Sequence, residues 1–437
     1  MSEPENNKGQ AHTHEGDRGF TAGWGSHAIL ITLFLVYMSD YADRFVVASM
    51  FGYIKEDWGI TDAQAGDLMG VVILFITIFS LPVSMLIDRW SRRKMMSIMT
   101  LFWSMATLAC AFTKNYWQLL VARAFIGIGE AGYAPAGTAM LAGAYPEKRR
   151  ALVMGIWNIA IPLGMGIGLM AGGQIAARWG WQHAFGLVAL PGVILAVVAW
   201  FLPDYKSVRP ENSGETLVAN FKSDLGTIVR IPSLVFTYLG FAMNVSLTTA
   251  LATWLSVYFE RTGVAEQGKG GMYATPVFAL ILIGAPLGGL LSDVWHKRNT
   301  EGRLYFPAVT SLIAAGVLFV AFQFPGAFFP QVPILILFGI FVTGFIAPAV
   351  SVTQDVVHPG LRAFSYAMCV IVQHLLGDVW SPSIIGRLSD AFTLEKAVMF
   401  MPVWAVLAAV CFFIASRFYV KDMERVERVQ LEEEERE

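Results

Sequence analysis

The stretch LVYMSDYADRFVV, residues 35–47, places two acids and one arginine inside a long apolar segment. Each of these side chains, Asp40, Asp43 and Arg44, costs roughly 2.5–3.5 kcal/mol at the centre of a membrane helix. A helix that only anchors a protein in a bilayer gains nothing from that cost. The stretch therefore predicts a functional site within the membrane.

The composition of the whole chain is that of a polytopic membrane protein. Of its 437 residues, 55% are hydrophobic and 15% are charged, whereas soluble domains carry about 25% charged residues. The formal net charge is -2, and the basic residues fall in short clusters, which argues against nucleic-acid binding. Three cysteines in apolar segments indicate neither a disulfide framework nor a zinc site. We expect no metal and no cofactor.

Twelve apolar segments are long enough to cross a bilayer, which needs about 20 residues each. The predicted fold is an all-α membrane protein whose twelve transmembrane helices form two six-helix bundles. Its parts are a polar tail at 1–23, the bundles at 24–203 and 233–417, a linker at 204–232 and a charged tail at 418–437. The segments are 27–49, 66–87, 95–113, 116–143, 150–174, 184–202, 233–259, 271–292, 304–323, 332–353, 363–389 and 396–416.

Lysine and arginine are distributed unequally between the two ends of these bundles. One end carries clusters such as residues 89–94, 148–150 and 297–303, whereas the other has scattered residues such as Lys55 and Arg261. Loops rich in lysine and arginine stay on the cytoplasmic side of a membrane. Both termini are therefore predicted to be cytoplasmic.

Two loops in corresponding places of the two halves share a pattern. SMLIDRWSRRK at 84–94 and GLLSDVWHKR at 289–298 each place an acid just before a basic cluster. Together with twelve segments and a central linker, this resembles the major facilitator superfamily, whose loop signature is G-x-x-x-D-R-x-G-x-R-K. Serines replace its two glycines, and the resemblance implies a gating loop that braces one conformation. The matching residues are Asp88, Arg89, Arg93 and Lys94.

Helix geometry separates the three charges of the first segment. Asp40 and Arg44 are four residues apart and can pair on one face, whereas Asp43 lies on a neighbouring face. One arginine cannot neutralise both acids, and a buried carboxyl beside a like charge is typical of a proton carrier. The alternative is an ion pair that only neutralises buried charge. We predict proton coupling at Asp43, the acid without an obvious partner.

The fourth segment supplies Arg123 and Glu130, seven residues apart, or about 10.5 Å along one helix face. This separation excludes a local pair, so each side chain needs a partner on another helix. The simplest arrangement joins Arg123 or Arg44 with Glu130 or Asp43. The two glycines at 127 and 129 predict close helix packing. The pattern R-x-x-x-G-x-G also resembles a major facilitator motif whose arginine is implicated in proton movement.

Polar side chains also occur in the fifth and eleventh segments. Asn158 precedes a proline and repeated glycines that permit close helix contact, and it is either an interhelical hydrogen-bond partner or a ligand contact. His374 and Asp378 are four residues apart and can hydrogen-bond on one helix face. Such a bond can orient a histidine for proton exchange, or it can simply satisfy a buried polar pair.

Three strings narrow the resemblance to one family. DYADRFVVA at 40–48, RAFIGIGEAGY at 123–133 and HLLGDVWSPSIIG at 374–386 resemble the Spinster family of lipid transporters in a bacterial-type form. The resemblance covers most of the chain and implies transport of a lysophospholipid or sphingosine-type lipid, with proton coupling in at least some members. It also implies a polar central cavity that includes Asp43, Arg44, Glu130 and His374.

These patterns predict a secondary transporter whose two bundles rock around a central cavity. Its expected partners are an amphipathic small molecule, protons and the bilayer, and it is expected to be a monomer in the cell (inner) membrane. The predicted proton-coupling residues are Asp43, Glu130, His374 and Asp378. The predicted substrate-binding or charge-pairing residues are Asp40, Arg44, Arg123, Tyr133 and Asn158.

Three other classes of protein compete with a lipid transporter as explanations of these residues. A proton-coupled carrier of a small organic anion is the alternative, because the same arginines could bind a carboxylate. A membrane-embedded lipid enzyme is disfavoured: His374 and Asp378 are one residue short of an acyltransferase H-x4-D spacing, and no serine or cysteine accompanies a base. Nothing in the sequence marks the selectivity filter of a channel.

Overall fold

The structure, a computed structural model, describes residues 24–89, 91–203, 224–358 and 361–426. Within these ranges the regular secondary structure is helical, and no strand occurs there. The predicted tail at 1–23, most of the predicted linker and the chain beyond residue 426 lie outside the described residues.

The described helices form twelve passages, which we number spans 1 to 12 in chain order. Span 1 continues as a 3-10 turn, Val46–Met50, and a short helix, Phe51–Trp58. Six of the other eleven passages are also built from more than one helical segment. The bounds are Trp24–Phe45 for span 1, Asp62–Arg89 for span 2, Arg92–Cys110 for span 3, Tyr116–Glu130 and Tyr133–Ala144 for span 4, Glu147–Asn158 and Ala160–Trp179 for span 5, Trp181–Trp200 for span 6, Pro232–Arg261 for span 7, Gly270–Ala279 and Ile281–Arg298 for span 8, Gly302–Ala321 for span 9, Phe328–Val342 and Ile346–Asp355 for span 10, Arg362–Gln373, His374–Asp378 and Ser381–Ala391 for span 11, and Leu394–Val398 and Met401–Glu424 for span 12.

Nine helices among the described residues are long and apolar enough to cross a membrane. Spans 1, 3 and 4 fall outside this set. Span 1 carries Asp40, Asp43 and Arg44 inside its helix, and span 4 is divided into two helices of 15 and 12 residues.

Helix ends differ from the predicted segments by several residues, because counting apolar residues does not detect a polar first turn. Span 2 begins at Asp62 and not at residue 66. Thr61 and Gln64 exchange hydrogen bonds there, from each backbone N–H to the other side chain, at 3.0 and 3.1 Å. This capping box satisfies the first N–H groups of the helix.

Span 5 packs on the backbone of span 1 through a stripe of glycines. A Cβ atom at Gly164 would lie 2.2 Å from the carbonyl oxygen of Met38, and one at Gly168 would lie 2.5 Å from that of Ala42. No larger residue permits this approach, so the backbones of the two helices touch beside Asp40–Arg44. The close packing predicted from the fifth segment is present.

The main contacts between the two halves lie at one end of the described molecule. Span 2 packs on span 11, and span 5 packs on span 8. Gly66 and Gly70 of span 2 lie directly against the backbone of Pro382 and Val379. These contacts use the first third of span 2, so we name this end the Asp62 end. The opposite end, with the clustered lysines and arginines, is named the basic end.

Candidate functional site

Spans 1 and 4 meet through a buried ion-pair cluster built on Arg44. Its Nη2 lies 2.8 Å from Oε2 of Glu130 and 3.2 Å from Oδ2 of Asp40, and its Nε donates to the same Glu130 oxygen at 3.1 Å. The guanidinium also lies over the ring of Tyr41, 4.6 Å from the centroid. The pair predicted within span 1 and one of the pairings predicted between spans 1 and 4 are therefore both present.

Arg123 is completely buried. Its guanidinium donates to backbone carbonyls and makes no hydrogen bond to a carboxylate among the described residues. Its Nε donates to the Leu68 carbonyl oxygen at 2.6 Å, and its Nη2 donates to the Arg44 carbonyl oxygen at 3.1 Å. It thereby ties span 4 to spans 2 and 1. The expectation that Arg123 contacts substrate does not fit this burial, because neighbouring helices enclose the guanidinium.

Asp43 is the buried acid without a direct partner, as helix geometry predicted. Neither of its carboxylate oxygens accepts a hydrogen bond among the described residues. Arg123 supplies a nearby opposite charge, and the side chains of Trp103 and Thr107 border the carboxyl without standard hydrogen-bond geometry. A carboxylate buried without a partner is costly. This setting suits a group that takes up and releases a proton, a role that stays a prediction.

The cluster contains one more acid than base. Its three acids and two arginines give a formal charge of 2 − 3 = −1 when all are ionised. Arg44 keeps 14% of its side chain exposed, whereas the other four residues are buried. Asp40, Asp43 and Glu130 are enclosed in this conformation, and the place of Asp43 and Glu130 in a polar central cavity stays a prediction. A single proton would make the cluster neutral.

Tyr133 lies in a buried aromatic group. Its hydroxyl donates to the Leu33 carbonyl oxygen and accepts from the Trp157 indole N–H at 3.2 Å. Tyr37, half-buried, stacks on Trp157 with ring centroids 4.5 Å apart. Tyr133 therefore joins spans 1, 4 and 5 in this conformation, and its place among the substrate-binding or charge-pairing residues stays a prediction.

Asn158 is exposed, and its amide donates to the Met154 carbonyl oxygen at 2.8 Å, one turn earlier in the same span. The predicted interhelical hydrogen bond is therefore not made. An exposed amide within a helical passage keeps open the alternative that it contacts a ligand.

His374 and Asp378 form the predicted pair in span 11. The His374 Nδ1 lies 2.9 Å from Oδ2 of Asp378, and the two residues bound a π-helical turn. The side chains are 22% and 10% exposed. The next residue, Val379, carries the backbone that packs on Gly70 of the other half. The pair therefore lies where the two halves meet, and its role in proton coupling stays a prediction.

The predicted gating loop is described in part. Arg93 donates to the Leu202 carbonyl oxygen at 2.7 Å, and the Lys94 ammonium lies 6.0 Å from the centre of the Trp200 ring. Both contacts join spans 3 and 6 within one half. The side chains of Asp88 and Arg89 lie outside the described residues, so the bracing role of this loop stays a prediction.

A second charged cluster, at the Asp62 end, escaped the sequence analysis. Arg261 binds Asp62 through two bonds, Nη1 to Oδ2 at 2.6 Å and Nη2 to Oδ1 at 2.7 Å. Lys55 binds the same carboxylate at 2.8 Å. Only a weak indication of this cluster is present in the sequence. Lys55 and Arg261 are two of the few basic residues at the end of the bundles that has few lysines and arginines.

Comparison with known proteins defines the class of this fold and site. The model of the Major Facilitator Superfamily matches residues 33–382. The chain therefore belongs to the Major Facilitator Superfamily, and the predicted twelve-helix fold is confirmed. It is a transporter and not an enzyme, as predicted.

Three similar proteins indicate which members of the superfamily this chain resembles. Protein spinster homolog 1 of Xenopus tropicalis is 28% identical, over 92% of this chain and 82% of the relative. The sphingosine-1-phosphate transporter SPNS2 of Mus musculus is 25% identical, over 89% of this chain and 77% of the relative. The solved structure of a bacterial homologue of the human lysosomal transporter Spinster, inward-facing and unoccupied, superimposes with a TM-score of 0.80 at 22% identity, over 92% and 99% of the two chains. The predicted resemblance to the Spinster family is confirmed.

Proposed function

We propose that this transporter moves a single-chain amphipathic lipid, a lysophospholipid or a sphingosine-type lipid, in a cycle coupled to protons. The observation that carries the proposal is the bonding of Arg44. One nitrogen of its guanidinium serves two acids, Asp40 and Glu130, while part of the same side chain stays exposed. An anionic headgroup that reaches Arg44 competes with those acids for the same N–H donors.

Protons and substrate are linked through the charge of the cluster. With three acids and two arginines, binding an anionic headgroup adds negative charge to a cluster that already has an excess of one. Protonation of Glu130 or Asp43 removes that excess, and on Glu130 it also weakens the two hydrogen bonds from Arg44, because a neutral carboxyl is a weaker acceptor than a carboxylate. A proton and an anionic headgroup therefore stabilise each other's binding, and this reciprocity is the basis of the proposed coupling.

Half-buried aromatic rings beside Arg44 support a lipid as the substrate. Tyr41 lies under the Arg44 guanidinium, and Tyr37 packs edge-on against Tyr41 with ring centroids 5.3 Å apart. A positive group next to partly exposed rings suits a molecule with an anionic head and an apolar chain. The name of the Mus musculus relative, a sphingosine-1-phosphate transporter, points in the same direction.

We propose a membrane orientation that follows from the distribution of lysine and arginine. The basic end faces the cytoplasm, both termini are cytoplasmic, and the protein is a monomer in the cell (inner) membrane. In that orientation the contacts between Gly66, Gly70 and span 11 close the outer side. The likeness to an inward-facing Spinster homologue supports this arrangement.

Reconstitution of the purified protein in proteoliposomes tests the proposal. The measurement is the flux of a radiolabelled lysophosphatidylglycerol with and without an imposed pH gradient. We expect Arg44→Gln to abolish flux, because the headgroup loses its cation. We expect Glu130→Gln to retain flux while losing its stimulation by the gradient, because the substitution fixes the uncharged state. Glu266→Gln, at an acid exposed in the loop between spans 7 and 8, is the control and should behave as wild type.

Two results would change the proposal. If Glu130→Gln and Asp43→Asn both keep wild-type flux and wild-type pH dependence, the cluster does not couple protons to transport. If sugar acids are transported and lysolipids are not, the protein is a carrier of small organic anions, and Arg44 binds a carboxylate.

A further inference from the structure

Asp62 is the most heavily bonded acid among the described residues, and its partners come from both halves. Arg261, at the end of span 7, binds both of its carboxylate oxygens. The Ser389 hydroxyl of span 11 donates to Oδ2 at 2.5 Å. The Lys55 ammonium, which belongs to the same half as Asp62, lies 2.8 Å from Oδ1. Two partners therefore lie across the boundary and one lies on the near side.

The first turn of span 2 is capped in the same two-sided way. The Asp390 carboxylate of span 11 accepts from the backbone N–H groups of Asp62 and Ala63, both at 2.8 Å. Thr61 and Gln64, on the near side, form the capping box of the same helix. An N-terminal turn has four N–H groups without partners inside the helix, so both caps are used at once.

We propose that these residues form a reversible lock at the Asp62 end, in which Asp62 and the first turn of span 2 each keep a partner on the near side when the bonds across the boundary are lost. When the halves part, Asp62 loses Arg261 and Ser389 but keeps Lys55. Span 2 loses the Asp390 carboxylate, which accepts from the N–H groups of Asp62 and Ala63, but keeps the Thr61–Gln64 capping box. Lys55 is thus the partner that permits opening, because it keeps a cation beside the Asp62 carboxylate after Arg261 leaves.

This arrangement predicts effects of opposite sign for two cations that bind one carboxylate. Arg261→Gln removes a partner present only in the closed state, so it shifts the population toward the state open at the Asp62 end. Lys55→Gln removes a partner that is one of several in the closed state but the only cation in the open state, so it shifts the population toward closure. If Lys55 and Arg261 both stabilised only the closed state, either variant would shift the population toward the open state.

The size of each shift follows from the bonds and their exposure. Arg261 makes two charge-assisted bonds to a buried carboxylate but is 31% exposed itself, so we expect a shift of about ten-fold in the ratio of open to closed molecules. Lys55 is 41% exposed, and we expect a shift of about three-fold the other way. In the double variant, Lys55→Gln should reverse part of the opening caused by Arg261→Gln.

Distances between spin labels on the two halves measure the effect. Labels at Lys114→Cys and Lys396→Cys, both exposed at the Asp62 end, report opening there. Labels at Lys148→Cys and Lys297→Cys report the basic end. Serine replaces the native cysteines at 110, 369 and 411. The protein is studied in nanodiscs without substrate or pH gradient, so the result does not depend on which molecule is transported.

The expected result for Arg261→Gln is a longer distance at the Asp62 end together with a shorter one at the basic end. That combination indicates rocking of the halves, whereas local fraying would change only the first distance. Lys269→Gln is the matched control, because its ion pair with Glu266, 2.6 Å long, lies at the same end but within one loop. The proposal is overturned if Lys55→Gln and Arg261→Gln shift the distances in the same direction. It is also overturned if Arg261→Gln leaves both distances as in wild type.

Discussion

Neutralising Arg44 and neutralising Glu130 should have very different effects on the stability of the buried cluster. The wild-type cluster of three acids and two arginines has a formal charge of −1. Arg44→Gln leaves three acids and one arginine, or 1 − 3 = −2. Glu130→Gln leaves two of each, or 2 − 2 = 0. One substitution doubles the buried charge excess and the other removes it.

The hydrogen bonds of Arg44 give the expected loss of stability in each variant. Arg44 makes three bonds to two buried carboxylates, those of Asp40 and Glu130. Removing one partner of a buried ion pair costs about 3–5 kcal/mol, because the remaining charge stays buried. After Glu130→Gln, the new amide oxygen still accepts from Arg44, and Asp40 keeps its cation, so we expect a cost of about 1 kcal/mol. The predicted difference between the two variants is therefore about 2–4 kcal/mol.

The rate of thermal inactivation in detergent measures this difference, because proteins of this kind unfold irreversibly and their stability is a rate. The readout is the fraction of protein that stays monodisperse after heating for increasing times. Arg178→Gln, at an exposed arginine of span 5, is the control and should behave as wild type. If Glu130→Gln inactivates as fast as Arg44→Gln, the acids are not ionised as counted here, and the charge argument fails.

Two other substitutions test the packing around the cluster. Gly168→Val inserts a side chain where the Ala42 carbonyl oxygen lies, so we expect a cost of about 1–3 kcal/mol in thermal inactivation, whereas Gly155→Val, with no atom within 4 Å, should be tolerated. Tyr133→Phe removes the bond to the Leu33 carbonyl and should cost about 1 kcal/mol of stability while leaving the KM for substrate unchanged; an altered KM with wild-type stability would place Tyr133 in the cavity instead.

Much of the fold could be predicted from the sequence because each span is a local property of about 20 residues. Hydropathy locates the passages without reference to their neighbours. The interruptions within them could not be predicted in the same way. Span 8 is interrupted at Leu280 and span 11 contains the π-helical turn His374–Asp378. These interruptions occur where the helices pack against other spans, and apolar counting does not report that packing.

In the candidate site, contacts within one helix could be predicted from the sequence, and contacts between helices could not. The pairing of Asp40 with Arg44 follows from four-residue spacing on one helix. Whether Glu130 would bind Arg44 or Arg123 could not be settled, because spacing does not fix the rotation of one helix against another. In the structure Arg44 binds Glu130, and Arg123 donates to backbone carbonyls. Every residue has a backbone carbonyl, so the sequence does not show which one an arginine will bind. Asp62 was missed because its partner Arg261 lies 199 residues away.

The burial of the acids has a consequence for when protons can bind. Asp40, Asp43 and Glu130 are enclosed in this conformation, and Arg44, at 14%, has the most exposed side chain of the cluster. The Arg123 guanidinium bonds to Leu68 of span 2, two residues before the Gly70 contact with span 11. Span 2 is therefore held by the cluster on one face and by the other half on the opposite face. A movement that opens the Asp62 end must act on a helix that is bonded to the cluster, so we expect the access of the acids to protons to change with the conformation of the transporter and not independently of it.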